Sequence, residues 1–108
     1  MKRGDIVTVA APGDYGKPRP AVVIQSDWLD ETDSVLVCLM TTTTRPLPLY
    51  RVDVAVGRET GLRDASQIMV EKIMAIRRDK CGAAIGRLDD ESFSTLNRML
   101  ALMVGVAD

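Results

Sequence analysis

Only one stretch of this sequence repeats its apolar residues at helical spacing, and it lies at the C-terminal end. Phe93, Leu96, Met99, Leu100 and Met103 fall on one side of a helix. Asp89 before it is a good N-cap, and Asp90 and Glu91 stand where the helix dipole favours negative charge. Leu88 and Phe93 have the spacing of a hydrophobic staple, and Gly105 supplies a stop. Every apolar run before this point is short and set between Gly, Pro or polar residues. Such a chain is predicted to fold as several short strands followed by one terminal helix.

Residues 6–9, 21–25, 34–40 and 50–56 are the expected strands, with shorter candidates at 68–70, 73–76 and 83–85. The run at 34–40 is apolar throughout, as at the centre of a small barrel. At 50–56 the pattern alternates, with Val52, Val54 and Val56 on one face and Arg51, Asp53 and Ala55 on a wet one. Residues 11–18 hold Pro12, Gly13, Asp14, Gly16 and Pro18 and read as a constrained loop. Four threonines, Thr41, Thr42, Thr43 and Thr44, precede Arg45, and Pro46 and Pro48 make the segment irregular. No repeat or linker divides the chain, so residues 1–108 are expected to form one mostly β domain of the α+β class.

Composition narrows the chemistry. The formal charge is −1, so binding of nucleic acid would need a local basic patch offset by acids elsewhere. Asp27, Asp30, Glu31 and Asp33, crowded into one segment, allow that offset. The chain has no histidine, which removes the usual imidazole acid–base and His-containing metal sites. Its two cysteines make neither a disulfide framework nor a zinc site. Cys38 reads as a small buried hydrophobe, and Cys81, beside Lys80, as an incidental surface thiol. Trp28 reads as a packing anchor rather than a base platform. The first residues lack the apolar segment of a signal peptide and no run is long enough to span a membrane, so a soluble, cytoplasmic protein is expected.

What remains is Lys17, Pro18, Arg19 and Pro20 at the entrance to the second strand, and the threonines at the exit of the third. If these strands are antiparallel neighbours, Arg19 and Thr41 share one edge of the sheet, with Asp14 and Tyr15 on the loop above. A guanidinium held between two prolines suits a phosphate oxygen, because its donors are planar and always charged. A surface salt bridge accounts for Arg19 as well, and strand propensity for the threonines. The residues by themselves reach a small β-rich domain with a candidate anion site.

The pieces also resemble a known family. Arg3, Gly4, Asp5, Ile6 and Val7 look like the opening strand of the MazF/PemK toxins, and GKPRPAVV at 16–23 like their central RPAVV segment. Residues 34–42 are similar to the strand that ends in a threonine, and GLRDASQIMVEKIMAI at 61–76, with Gly86 and residues 88–91, resembles the C-terminal half. The likeness runs in order over almost the whole chain.

That resemblance implies a small SH3-like barrel with a C-terminal α-helix, a homodimer, and a metal-independent endoribonuclease that cleaves single-stranded RNA without a cofactor. The paired catalytic residues fall on Arg19 and Thr41, with Thr42 the alternative threonine. Asp14, Tyr15, Lys17, Thr42, Thr43 and Arg45 are the expected RNA contacts; many members have Glu-Gln where this chain has Asp14 and Tyr15. The expected partner is an antitoxin with an acidic segment. The competing implications are a toxin of the CcdB type, which shares this fold and poisons DNA gyrase without chemistry, and a non-catalytic binding member.

Overall fold

In the computed structural model, which describes residues 1–13 and 17–107, the chain forms six strands and one α-helix. The strands are β1 (Asp5–Val9), β2 (Arg19–Val23), β3 (Ser34–Thr41), β4 (Arg51–Val54), β5 (Ser66–Arg77) and β6 (Cys81–Arg87), and the helix α1 is Asp90–Met103. One antiparallel sheet takes them in the order β4-β5-β3-β2-β1-β6. This is the expected mostly β architecture with its terminal helix. The sheet stays open as a hydrogen-bonded ladder, because β4 and β6 are its two edges.

Alternation along the strands sends apolar residues to two clusters. Ile6, Val22, Cys38, Met40, Ile68 and Leu96 belong to one, and Val7, Val9, Ala21, Val23, Val37 and Leu39 to the other. The central strands β1, β2 and β3 therefore bury both faces, which explains their unbroken apolar runs. α1 lies across β4 and β5 and buries Leu96 completely. Asp89 caps it as expected, its Oδ1 accepting from the Ser92 N–H at 2.7 Å. At the other end Gly105, at φ 82°, donates to the Leu102 carbonyl and Val106 to that of Ala101, the paired bonds of a Schellman stop. Arg3 ties the helix to the end of β2, donating to the Ile24 carbonyl and to Asn97 Oδ1 while lying 5.1 Å from the Phe93 ring centre.

Several sequence expectations need correction. The segments at 68–70 and 73–76 are parts of one long strand, β5. Between Cys38 and Met40 β3 advances two residues while β5 runs from Ile73 to Ile68, so the ladder is irregular there. The odd excess of residues switches the faces: Ile68 and Val70 point to one cluster, Met74 and Ile76 to the other. β2 begins at Arg19, two residues earlier than expected, so Arg19 is part of the strand. β4 ends at Val54, leaving Val56 exposed, and Met103, the last residue of α1, is exposed too. Trp28 is no packing anchor. It is 93% exposed, on the acidic turn that caps the β2–β3 hairpin, where no apolar surface covers it. Cys38 is buried as expected, and desolvation pushes its thiol up to about 12. Cys81 is half-buried, and burial also raises its thiol, against the opposing pull of Arg78.

The gap between the two sheet edges is bridged by the connection from β4 to β5. The Arg87 N–H donates to the Glu59 carbonyl at 2.8 Å, and a Cβ on Gly86 would fall 2.3 Å from the Thr60 carbonyl. Backbone meets backbone here, which only glycine permits. Gly86→Ala is therefore expected to lower stability by about 1–3 kcal/mol through overpacking. Gly57→Ala, with nothing within 4 Å of its Cβ, should be close to neutral. Urea unfolding of the two variants beside the parent checks the contrast.

Candidate functional site

β2 and β3 pair with Ala21 opposite Leu39, Val22 opposite Cys38 and Val23 opposite Val37. Carried two residues further, the same register sets Arg19 opposite Thr41, at the end of the hairpin remote from the acidic turn. A pocket of about 260 Å³ opens there. Arg19, half-buried between Pro18 and Pro20, lines it together with Thr41, Thr42 and Thr43. Met40 and the buried Ser66 complete the lining.

Local geometry fixes the threonine side. Thr41 ends β3 and pairs with Gln67 of β5. Its Oγ1 accepts the Thr43 N–H at 3.1 Å, which turns the chain and leaves the hydroxyl proton to donate elsewhere. Thr42 and Thr43 are exposed at the rim. Beyond them the chain is held by Gln67, whose side chain reaches both backbone polar atoms of Arg45. Gln67 in turn contacts Asp53 and Arg51 of β4. The Arg51 side chain, only 9% exposed, forms a forked ion pair with Glu71 at 2.8–3.1 Å. Its hydrogen bonds to Glu71 hold the guanidinium charged. Burial raises the Glu71 carboxyl, but the hydrogen bonds it accepts, Arg51's first, outweigh that and leave it below the ordinary carboxylate range.

The structure thus brings Arg19, Thr41, Thr42 and Thr43 together. Lys17 and Arg45 are exposed and do not line the pocket. Asp14 and Tyr15 lie outside the described residues. Ser66 and Gln67 escaped functional reading of the sequence. They differ from ordinary strand residues only in being two polar side chains ahead of an apolar run, and their burial depends on β3 and β4 closing on both sides.

Of three larger hollows, two mix their cations with carboxylates and suit an anion less well. One, about 650 Å³, is lined by Asp30, Glu31, Asp33 and Asp79. Its cations are engaged, Arg77 with Asp79 and Arg78 with the Thr32 carbonyl. The other, about 450 Å³, runs between β4 and the start of α1, and combines Arg51 with Asp53, Asp89 and Glu91. Among the described residues no three His, Cys, Asp or Glu side chains group as metal ligands, and no helix is long and apolar enough to cross a membrane.

The chain has relatives among known proteins both in sequence and in fold. A protein of Mycolicibacterium smegmatis described as a probable endoribonuclease MazF is 39% identical over 108 residues, covering 99% of both chains. Among solved structures, a mycobacterial endoribonuclease in complex with its cognate antitoxin superposes with a TM-score of 0.82 at 19% identity, covering 100% of this chain and 98% of that one. A MazE–MazF complex from Deinococcus radiodurans gives 0.77 at 14% identity, over 99% and 98%. The family model of the PemK-like, MazF-like toxins of type II toxin–antitoxin systems matches residues 2–104, and the chain belongs to that family.

Proposed function

We infer that this chain is the toxin of a toxin–antitoxin pair, an endoribonuclease of the MazF type acting in the cytoplasm, and that it cuts single-stranded RNA in the pocket between Arg19 and Thr41. Family membership and the 39% identical relative support the activity. The observation that supports the site is the β2–β3 register, which continued two residues brings Arg19 beside Thr41, both lining one small pocket. The family match disfavours the gyrase-poisoning and non-catalytic alternatives.

The chemistry follows from these groups. The 2′-oxygen beside the scissile phosphate bonds to phosphorus as the bond to the 5′-oxygen breaks, leaving a 2′,3′-cyclic phosphate. The 2′-hydroxyl loses its proton and the 5′-oxygen gains one. Negative charge builds on the two non-bridging oxygens, and preorganised donors stabilise it best. Arg19 supplies such donors, and the Thr41 hydroxyl, its oxygen anchored by the Thr43 N–H, supplies another. Arg19 acts on charge, since a guanidinium is too weak an acid to exchange protons readily near neutral pH. Thr42 and Thr43 at the rim, with the exposed Lys17 and Arg45, serve as contacts for the RNA strand.

We also assign it a homodimeric state and an acidic antitoxin segment as inhibitor. Leu102, Val104 and Val106 at the end of α1 and Leu36 on β3 leave apolar surface exposed, which a second copy would cover. Carboxylates suit the same cations as phosphates do, so the antitoxin segment orders over the RNA path and excludes RNA.

Arg19→Ala is expected to stay folded and lose RNA cleavage by about a hundredfold or more, while the parent cuts equally well in EDTA; parental rates in the variant, or loss on chelation restored by added metal, contradict the mechanism. Sedimentation equilibrium at micromolar concentration should report twice the 11.8 kDa chain mass, and a purely monomeric species counts against the dimer. Titrating a non-cleavable RNA with the antitoxin segment should show competition that weakens with salt. A stable ternary complex with unchanged RNA affinity rules out occlusion.

A further inference from the structure

The segment that forms one wall of the pocket leaves β3 and lies outside any strand until β4 begins. Its course past the threonines is set at Arg45, and there by one side chain. Gln67 Nε2 donates to the Arg45 carbonyl at 2.9 Å, and Gln67 Oε1 accepts the Arg45 N–H at 2.9 Å. The side-chain amide thus pairs with the Arg45 backbone as a neighbouring strand would. Its second N–H goes to Asp53 Oδ1 at 2.8 Å, and its oxygen also faces Arg51 Nη1 at 3.4 Å.

Both N–H groups and both oxygen lone pairs are therefore used, on a residue only 5% exposed. The orientation is decided as well, because a flipped amide would set its oxygen against the Arg45 carbonyl and the Asp53 carboxylate. Asp53 and Thr41 are the direct ladder partners of Gln67 on its two sides. The clamp accordingly stands next to the residue that closes the pocket, while Gln67 itself does not line it.

We propose that Gln67 is a positioning residue that fixes the path of residues 42–45 along the bound strand, and so sets which bases are accepted beside the cut phosphate. The proposal rests on the reading of the pocket as the RNA cleft. Gln67 acts through the backbone it holds, touches no reacting atom, and is needed for ordering the strand more than for the chemical step.

The test compares Gln67→Glu and Gln67→Leu with the parent on RNA oligonucleotides that vary the bases flanking the cut. Gln67→Glu keeps the shape but turns both N–H donors into acceptors facing the Arg45 carbonyl and Asp53. Circular dichroism selects a temperature at which each variant is folded. The expected result is a KM raised about tenfold, a kcat changed less than threefold, and a flattened preference among flanking bases. Amide hydrogen exchange at Arg45 should quicken in both variants. Folded variants with parental KM, base preference and Arg45 exchange overturn the proposal, as does a loss confined to kcat. If Gln67→Leu does not fold, the near-isosteric Gln67→Glu decides alone. A parent protein that cuts no RNA overturns the cleft reading instead, and Arg45 exchange then reports on the clamp separately.

Discussion

The antiparallel register of β2 against β3 brings Arg19 and Thr41 together, because it decides which residue of one strand faces which residue of the other. Ala21, Val23, Val37 and Leu39 all enter one apolar cluster, while Val22 and Cys38 enter the other. A slip of one residue would exchange the clusters along the whole hairpin and bring every partner to the wrong face. Burial on both faces therefore locks the register, and the register carries Arg19 to Thr41. The polar site inherits its geometry from a purely apolar fit a few residues away.

The surroundings of the pocket depend on how β5 meets its neighbours. Its irregular pairing with β3 between Ile68 and Ile73 lets the first part of the strand serve β4 and the core under α1, and the second part serve the other cluster. The excess residues include Glu71, and that is where Arg51 finds its carboxylate. Removing either partner would leave the other charge largely enclosed and unmatched, a costlier defect than loss of an exposed pair. Arg51, Gln67 and Asp53 thus form a polar seam between the sheet and the segment that walls the pocket. The Gly86 contact draws the free edge of the sheet toward the β4–β5 connection and holds that half of the molecule in place.

Much of this was legible in the sequence, for identifiable reasons. Helical periodicity, the Asp89 cap and the Gly105 stop are local signals, and α1 appears where they put it. Strands with long apolar runs, such as β3, announced burial on both faces. The meeting of Arg19 with Thr41, Thr42 and Thr43 in one pocket was legible because two strand ends carry them and antiparallel pairing is the simplest connection. Features set by long-range pairing were not legible. Nothing local joins 68–70 to 73–76 across Glu71 and Lys72, since their continuity comes from β3. Trp28 looked like an anchor by residue type, yet its turn projects from the hairpin. Gln67 and the partner of Arg51 were hidden because each lies across the sheet from the residues it serves.

A basic and hydroxylated pocket lies at one end of the β2–β3 hairpin and an acidic turn at the other, on a chain whose net charge is nearly zero. The positive charge of the pocket is local, and the acids of the hairpin turn are kept at a distance. The central claim is that the scissile phosphate sits between Arg19 and Thr41. Heteronuclear NMR tests it most directly, by titrating the protein with an RNA that carries 2′-deoxyribose at the cut position. The account predicts saturable shifts at the Arg19 side-chain N–H and the Thr41 amide, with the start of α1 unmoved. Shifts centred instead on Asp89, Ser92 and Thr95, or on Arg77 and Arg78, with Arg19 and Thr41 unchanged, would contradict it.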